Sequence, residues 1–322
     1  MKKIAVIGGG TGTFTVLTGL RKYSDDLSAI VTMSDSGGSS GLLRDELGVL
    51  PPGDIRQCLI ALSDADKIWR DLFNYRFGDG GLSGHNFGNI FLSTLEKITG
   101  SLDTAIKTAG QLLQIKGRVI PVTFDKVNLC VKLSNQKTIK GETHIDEPRR
   151  SGKYAIVSAY LEPQAFINPE AANAILKADV LLFGPGDLYT SIIPNLLVRG
   201  FGEAVKKTKA SLVFTMNLMT KYGQTNNLTA KGHLGELEKY LGKEVDIILV
   251  NKTLPSKQAA LWYKSRNEEM VKDDLGNDKR VRRRDLLHDV VFEKDKNDRI
   301  KRSLIRHNPA CLARAIMEII CN

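Results

Sequence analysis

Apolar residues fall into short runs bounded by turn residues at Ile4 to Ile7, Leu27 to Met33, Val180 to Phe183, Leu212 to Phe214 and Val245 to Val250. Each run is brief and rich in β-branched residues, which predicts buried strands. Between them apolar positions recur at helical spacing, predicting helices over 13–23, 54–62, 67–75, 86–99, 101–113, 169–176, 193–206, 233–241, 257–266 and 309–320. Alternation of strand and helix predicts an α/β protein with a doubly wound, mainly parallel sheet covered on both faces. The stretch 117–160 differs: short alternating pieces are broken by Asn135, Gly141, Pro148 and Gly152, as expected of a small β-rich lobe inserted between the halves of the sheet. Because early and late strands would share one sheet, residues 1–322 read as a single discontinuous domain.

The first strand runs directly into Gly8-Gly-Gly-Thr-Gly12, and Phe14, Val16, Leu17 and Leu20 supply the buried stripe of the helix that follows. Glycine permits positive φ and close approach of a ligand, and the N–H groups at a helix start face an anion over the turn. A tight strand-to-helix connection can also use glycine for its own sake. Thr13 stands where the third glycine of a dinucleotide fingerprint belongs, and no Lys-Ser/Thr follows as in a P-loop. The turn therefore points to a phosphate-bearing ligand without selecting NAD or ATP.

Composition is that of a folded globular chain, 42% hydrophobic and 25% charged over 322 residues. There is no apolar run of the roughly 18 residues that span a bilayer. The N-terminus reads as the first strand, so a cytoplasmic protein without a signal peptide is expected. Cys58, Cys130, Cys311 and Cys321 form no C-x-x-C pair, and Cys58 and Cys311 read as core residues. The formal net charge of +10 raises anionic partners. From Lys264 to Arg302, however, 13 Lys and Arg alternate with 10 Asp and Glu, which favours a mixed charged surface over a nucleic-acid stripe. An anionic small molecule is the expected partner, and a homo-oligomer the expected assembly.

Ligands of doubly wound sheets bind outside the carboxyl ends of the strands. Here the loops in those places are glycine-rich and polar: Asp35-Ser-Gly-Gly-Ser-Ser-Gly41, Pro51-Pro-Gly-Asp-Ile-Arg56, Gly84-His-Asn-Phe-Gly-Asn89, Gly184-Pro-Gly-Asp-Leu-Tyr-Thr-Ser-Ile-Ile-Pro-Asn195 and Asn217-Leu-Met-Thr220. Together with Gly8 to Gly12, and over the length from residue 1 to Arg306-His-Asn-Pro309, they resemble the CofD/YvcK family. The resemblance implies a Rossmann-like core and two branches of function. In the YvcK-like branch, of gluconeogenesis factors, the ligand is a UDP-sugar such as UDP-N-acetylglucosamine or UDP-glucose, and the protein acts in carbon metabolism and cell morphogenesis. In the 2-phospho-L-lactate transferase branch, Mg²⁺ and acidic loop residues support group transfer to a deazaflavin alcohol.

Carried onto this chain, the resemblance places ligand contacts at Gly8, Gly9, Gly10, Thr11, Gly12 and Thr13, and at Asp35, Ser36, Gly37, Gly38, Ser39 and Ser40. Asp54, His85, Asn86, Asn89, Gly184, Pro185, Gly186, Tyr189, Asn217, Tyr263 and Arg306 complete the set. Asp35 and Asp54 are the candidate catalytic and Mg²⁺-binding carboxylates, since Mg²⁺ is commonly held by one or two carboxylates plus phosphate oxygens. Capping and loop bracing are the alternative roles for them. Many relatives carry two successive aspartates where this chain has Asp35-Ser36. Tyr189 is expected to stack on a ring, Asn217 to meet a base or sugar edge, and Arg306 to fork onto a diphosphate. Tyr263 and Arg306 match positions tied to UDP-sugar binding. Ser36 and the extended basic C-terminal region favour the UDP-sugar-binding regulator over the Mg²⁺-dependent transferase.

Overall fold

The computed structural model describes residues 2–146, 152–287 and 305–321. Seven strands form one parallel sheet in the order β10-β9-β8-β7-β1-β2-β3: β1 (Ile4–Gly8), β2 (Leu27–Val31), β3 (Arg118–Pro121), β7 (Val180–Phe183), β8 (Ser211–Thr215), β9 (Ile247–Asn251) and β10 (Val281–Arg284). The chain winds outward one way from β1 through β2 to β3, then returns beside β1 with β7 and winds the other way. The order therefore reverses between β1 and β7, where a doubly wound sheet opens its binding crevice. β4 (Asn128–Leu133), β5 (Thr138–Lys140) and β6 (Ile156–Glu162) form a separate antiparallel sheet in the order β5-β4-β6. β3 falls within the stretch 117–160 expected to form the inserted lobe, yet it pairs parallel with β2 at the edge of the large sheet, so the separate small sheet starts only at β4.

Side chains alternate across the large sheet as a period of two requires. Ala5 and Ile7 of β1 join a core with the small sheet and the helices Pro169–Lys177, Phe201–Lys207 and Ala230–Leu241. Ile4 and Val6 face the opposite core, shared with helices α1 (Gly10–Leu20), α3 (Gly53–Leu62), α5 (Phe87–Thr99) and α6 (Leu102–Leu112) and with the C-terminal helix Pro309–Cys321. Both faces of β1 are covered, so its whole length is buried. The remaining helices relevant to the site are α2 (Gly38–Leu47), α4 (Lys67–Asn74) and the five-residue α7 (Glu142–Asp146). No helix among the described residues is long and apolar enough to cross a membrane.

The α/β class and the five expected strands are present, with three local differences. The helix expected over 193–206 is two pieces, Ile193–Leu196 and Phe201–Lys207, because Gly200 takes φ +100° between them. A helix begins inside the glycine-serine loop at Gly38, and a strand forms at Val281–Arg284 within the charged stretch, where pairing with β9 outweighs a composition poor in apolar residues. Cys58 is buried, whereas Cys311 is only partly covered and Cys130 takes a core place instead.

Candidate functional site

Two glycine loops meet at the β1–β7 switch point. A Cβ on Gly12 would come within 2.0 Å of the Pro185 carbonyl oxygen, so the turn opening α1 packs directly on the turn leaving β7. Gly184 and Gly10 take φ of +72° and +61°, which side chains oppose. Asn195 ties the loops from below, its Nδ2 donating to Gly8 O at 3.3 Å and Ser191 O at 2.9 Å. Ser191 lines the space between them: its Oγ is 4.0 Å from where a Gly10 Cβ would sit, and its Cβ 3.3 Å from that of Gly186. Both residues belong to the Gly184–Asn195 motif, yet neither was singled out in the sequence because its role depends on the position of β1.

The glycines do different work. Gly9 has no room for a side chain, since a Cβ would meet Asp54 Oδ2 at 2.4 Å, and Gly8 is blocked by Thr13 Oγ1 at 2.5 Å. Gly38 opens onto space at φ +45°. Thr13 is buried and donates its hydroxyl to Gly9 O at 3.2 Å, bracing the turn from inside the helix.

Asp35, after β2, and Asp54, in the first turn of α3, are 19 positions apart in sequence and adjacent in space. Burial and the Asp35 carboxylate push Asp54 up to about 7, against the opposing effect of a Gly10 N–H donated to it and of the Arg56 charge. Burial likewise raises Asp35, opposed by the Gly37 N–H at 2.9 Å, by Ser40 and by the charges of Arg44 and Arg56. Glu142 of α7 is also raised, by burial and then by Asp35, Asp146 and Asp54. The crevice thus places a carboxylate cluster beside the glycine turn that opens α1. Such a pair is satisfied by a shared proton or a cation.

Behind this pair runs a buried polar chain. Ser40 accepts from Asn89 Nδ2 at 3.4 Å, and Asn89 Oδ1 accepts from Arg56 Nε at 2.9 Å. Arg56 then donates through Nη1 to Phe73 O and Asn74 Oδ1, both at 3.2 Å. Asn86 caps α5, its Oδ1 accepting the Asn89 N–H at 3.2 Å. Ser39 Oγ lies 3.3 Å from His85 Nδ1 and accepts the Asn86 N–H at 3.2 Å. Asn86 and Asn89 are buried and committed to holding α5 against α3, while His85 stays partly exposed at the edge.

The structure brings the β1, β2, α3 and β7 loop residues into one crevice and gives the aromatic candidates other duties. Tyr189 is buried, its hydroxyl donating to Glu236 Oε2 at 2.9 Å, so the ring packs in the core rather than offering a stacking face. Asn217 donates Nδ2 to Gly186 O at 2.7 Å and supports the glycine loop from behind. Tyr263 packs with Leu218, Ala259 and Ile305 in a small cluster, and its hydroxyl accepts the Ile305 N–H at 3.1 Å, beside Arg306.

The same fold occurs in a known protein. A solved structure of a UPF0052 family member from Bacillus halodurans superposes with a TM-score of 0.87 at 35% identity, covering 98% of this chain and 99% of that one. The gluconeogenesis factor of Bacillus subtilis is 41% identical over 252 residues, 77% of this chain and 78% of its own length. That of Halalkalibacterium halodurans is 36% identical over 322 residues, 98% of this chain and 96% of its own. The sequence profile described as 2-phospho-L-lactate transferase CofD matches residues 4–291, which includes both glycine loops, Asp35 and Asp54, and the chain therefore belongs to the CofD family.

Proposed function

We propose that this protein binds a UDP-sugar, UDP-N-acetylglucosamine or UDP-glucose, across the β1–β7 switch point and acts as a regulatory factor in gluconeogenic growth and cell-shape control. The observation that carries this reading is the meeting of the Gly8–Gly12 and Gly184–Gly186 turns, where Gly10 keeps its neighbours at 3.8 Å and beyond and the helix start favours negative charge. Relatives named as gluconeogenesis factors support the regulatory part. Arg306, held beside the Tyr263 contact, supplies a fork donor for phosphate.

The Asp35–Asp54 pair favours a second reading, a Mg²⁺-dependent transferase of the 2-phospho-L-lactate type. Carboxylate oxygens are the hard donors Mg²⁺ takes, and a cation would offset the burial and the Asp35 charge that raise Asp54. Among the described residues no group of three His, Cys, Asp or Glu is arranged to hold a metal, so the ion would depend on phosphate oxygens of the ligand for part of its shell. In that reading Mg²⁺ neutralises charge on the transferred group, and Asp35 and Asp54 hold it. Isothermal calorimetry with UDP-glucose, UDP-N-acetylglucosamine, NAD and GDP, each with and without Mg²⁺, separates the two. Binding of a UDP-sugar alone is expected; binding of GDP alone, with turnover of a deazaflavin alcohol, would reverse the order.

A further inference from the structure

One wall of the crevice is supplied by the inserted lobe through α7, and its attachments are of an unusual kind. On one side Ser36 Oγ accepts the Thr143 N–H at 3.1 Å and lies 3.1 Å from Thr143 Oγ1, while the Ser36 N–H is donated to Glu142. On the other side Lys221 Nζ lies 3.2 Å from Asp146 Oδ1 and 3.6 Å from Asp187 Oδ2, and Gln224 Nε2 donates to Asp146 Oδ1 at 3.1 Å. The helix therefore reaches from the loop after β2 to the loops after β7 and β8, past β1 and its glycine turn between them. Ile145 is its buried apolar anchor.

These attachments are polar and sit against like charge. Glu142 is brought to Asp35 and Asp54, and Asp146 shares a hydrogen bond with Asp187, so docking α7 buries acids beside one another on both sides, and burial raises Glu142 and Asp146. Lys221 offsets the second pair, lying within ion-pair distance of both partners. Preceding the helix, Gly141 takes φ +97°, a conformation glycine adopts without strain and a natural pivot. A wall held by hydrogen bonds, one bridging lysine and the single apolar anchor Ile145, and opposed by the cost of burying its acids beside others, is poised between docked and undocked positions.

We propose that α7 is a gate of the crevice, pivoting at Gly141 and latched by Lys221, and that ligand reaches Gly10 and Asp54 when it swings out. The ligand part rests on the crevice being the UDP-sugar site. Opening is read first without ligand, by alkylating Ile145→Cys, buried in the docked helix, with iodoacetamide and following the thiol at position 145 by peptide mass spectrometry. Adding Lys221→Met should speed labelling about fivefold, the loss of one ion-pair latch, while lowering the melting temperature by only about 2–4 °C. Equal labelling with and without Lys221, or labelling only as fast as global unfolding, overturns the gate. In the second arm, Ser36→Cys with Thr143→Cys is oxidised to clamp α7 shut, and UDP-glucose association is measured by stopped flow. Association should slow by about tenfold or more and recover in dithiothreitol, since a closed gate lowers the competent fraction. An oxidised protein that binds as fast as the reduced one overturns the gate. A wild type that binds no UDP-glucose overturns the proposed ligand, and the labelling rates then decide the gate on their own.

Discussion

Gly12 and Pro185 stand in backbone contact across the switch point, so close that a single added carbon would fall 2.0 Å from the Pro185 carbonyl. Gly10, two residues earlier, has its nearest neighbours at 3.8 Å and beyond. The two glycines therefore fail differently. Gly12→Ala forces β1 and β7 loops apart and should cost several kcal/mol, about 3 by the usual scale of overpacking. Gly10→Ala meets only its φ of +61°, about 1–2 kcal/mol, and should stay folded while placing a methyl where phosphate oxygens belong. Urea unfolding and calorimetry on the same samples check both: a folded Gly10→Ala protein with full UDP-sugar affinity would place the ligand elsewhere.

If the crevice takes a UDP-sugar, ligand at a hundredfold excess over Kd should stabilise the protein by roughly 2.7 kcal/mol. A thermal shift with UDP-glucose and UDP-N-acetylglucosamine, against NAD and GDP as controls, reads this directly. Equal shifts from all four would reduce the site to a general phosphate cradle.

The raised carboxylate predicts a pH dependence of definite sign. Asp54 moves from 3.8 to about 7 on folding, so between those values the native state keeps a proton that the unfolded chain has lost. The group thus favours folding below its unfolded value, and that contribution is lost as pH rises through about 7. Asp54→Asn keeps an acceptor for the Gly10 N–H and removes the titration. The variant should gain on wild type as pH rises above about 4, by less than about 1 kcal/mol at pH 5 and by about 1–2 kcal/mol at pH 8. Denaturant midpoints across that range decide it. Mg²⁺ that raises the wild-type midpoint at pH 8, and not that of Asp54→Asn, would assign the metal to this pair.

How far the site was legible follows from where its parts lie in the chain. Each glycine loop is contiguous and begins where a β-branched run ends, so Gly8 to Gly12 and Gly184 to Gly186 declared themselves, and the alternation of elements placed them at strand ends. The contact between Gly12 and Pro185 spans 173 positions and follows only from the sheet order, as does the support of Asn195 for Gly8. α7 is five residues long, too short to carry a periodicity, and lies in a stretch that reads as a β-rich lobe. Tyr189 turned inward because its hydroxyl partner, Glu236, is on a helix 47 residues later. Ring chemistry was visible in the sequence; the direction of the ring was not.

Arg56 joins three helices through one buried guanidinium, donating to Asn89, Asn74 and the Phe73 carbonyl. Arg56→Met keeps much of the volume and leaves those acceptors without their donor. It should destabilise by about 3–5 kcal/mol, the scale for breaking a buried charged network from one side. Its charge also opposes the rise of Asp35 and Asp54, so the variant should bind a proton at the pair more tightly. Urea unfolding and a carboxylate NMR titration measure the two effects separately. A loss below about 1 kcal/mol would mean the network is not holding the fold.

Tyr263 and Arg306 are separated by 43 positions and linked through one hydrogen bond, the Ile305 N–H donated to the Tyr263 hydroxyl at 3.1 Å. Tyr263 is buried, so we expect it to act on ligand through the segment that carries Arg306. Tyr263→Phe strands the Ile305 N–H and should cost about 1–2 kcal/mol of stability while weakening UDP-sugar binding indirectly. Arg306→Ala should weaken binding by about 1.5–3 kcal/mol, the scale of a charged hydrogen bond. A double-mutant cycle separates indirect from direct action. If Tyr263 works only by holding Arg306, the double variant binds no worse than Arg306→Ala. Additive losses in affinity would mean that the ring itself reaches the ligand, which requires this cluster to open on binding.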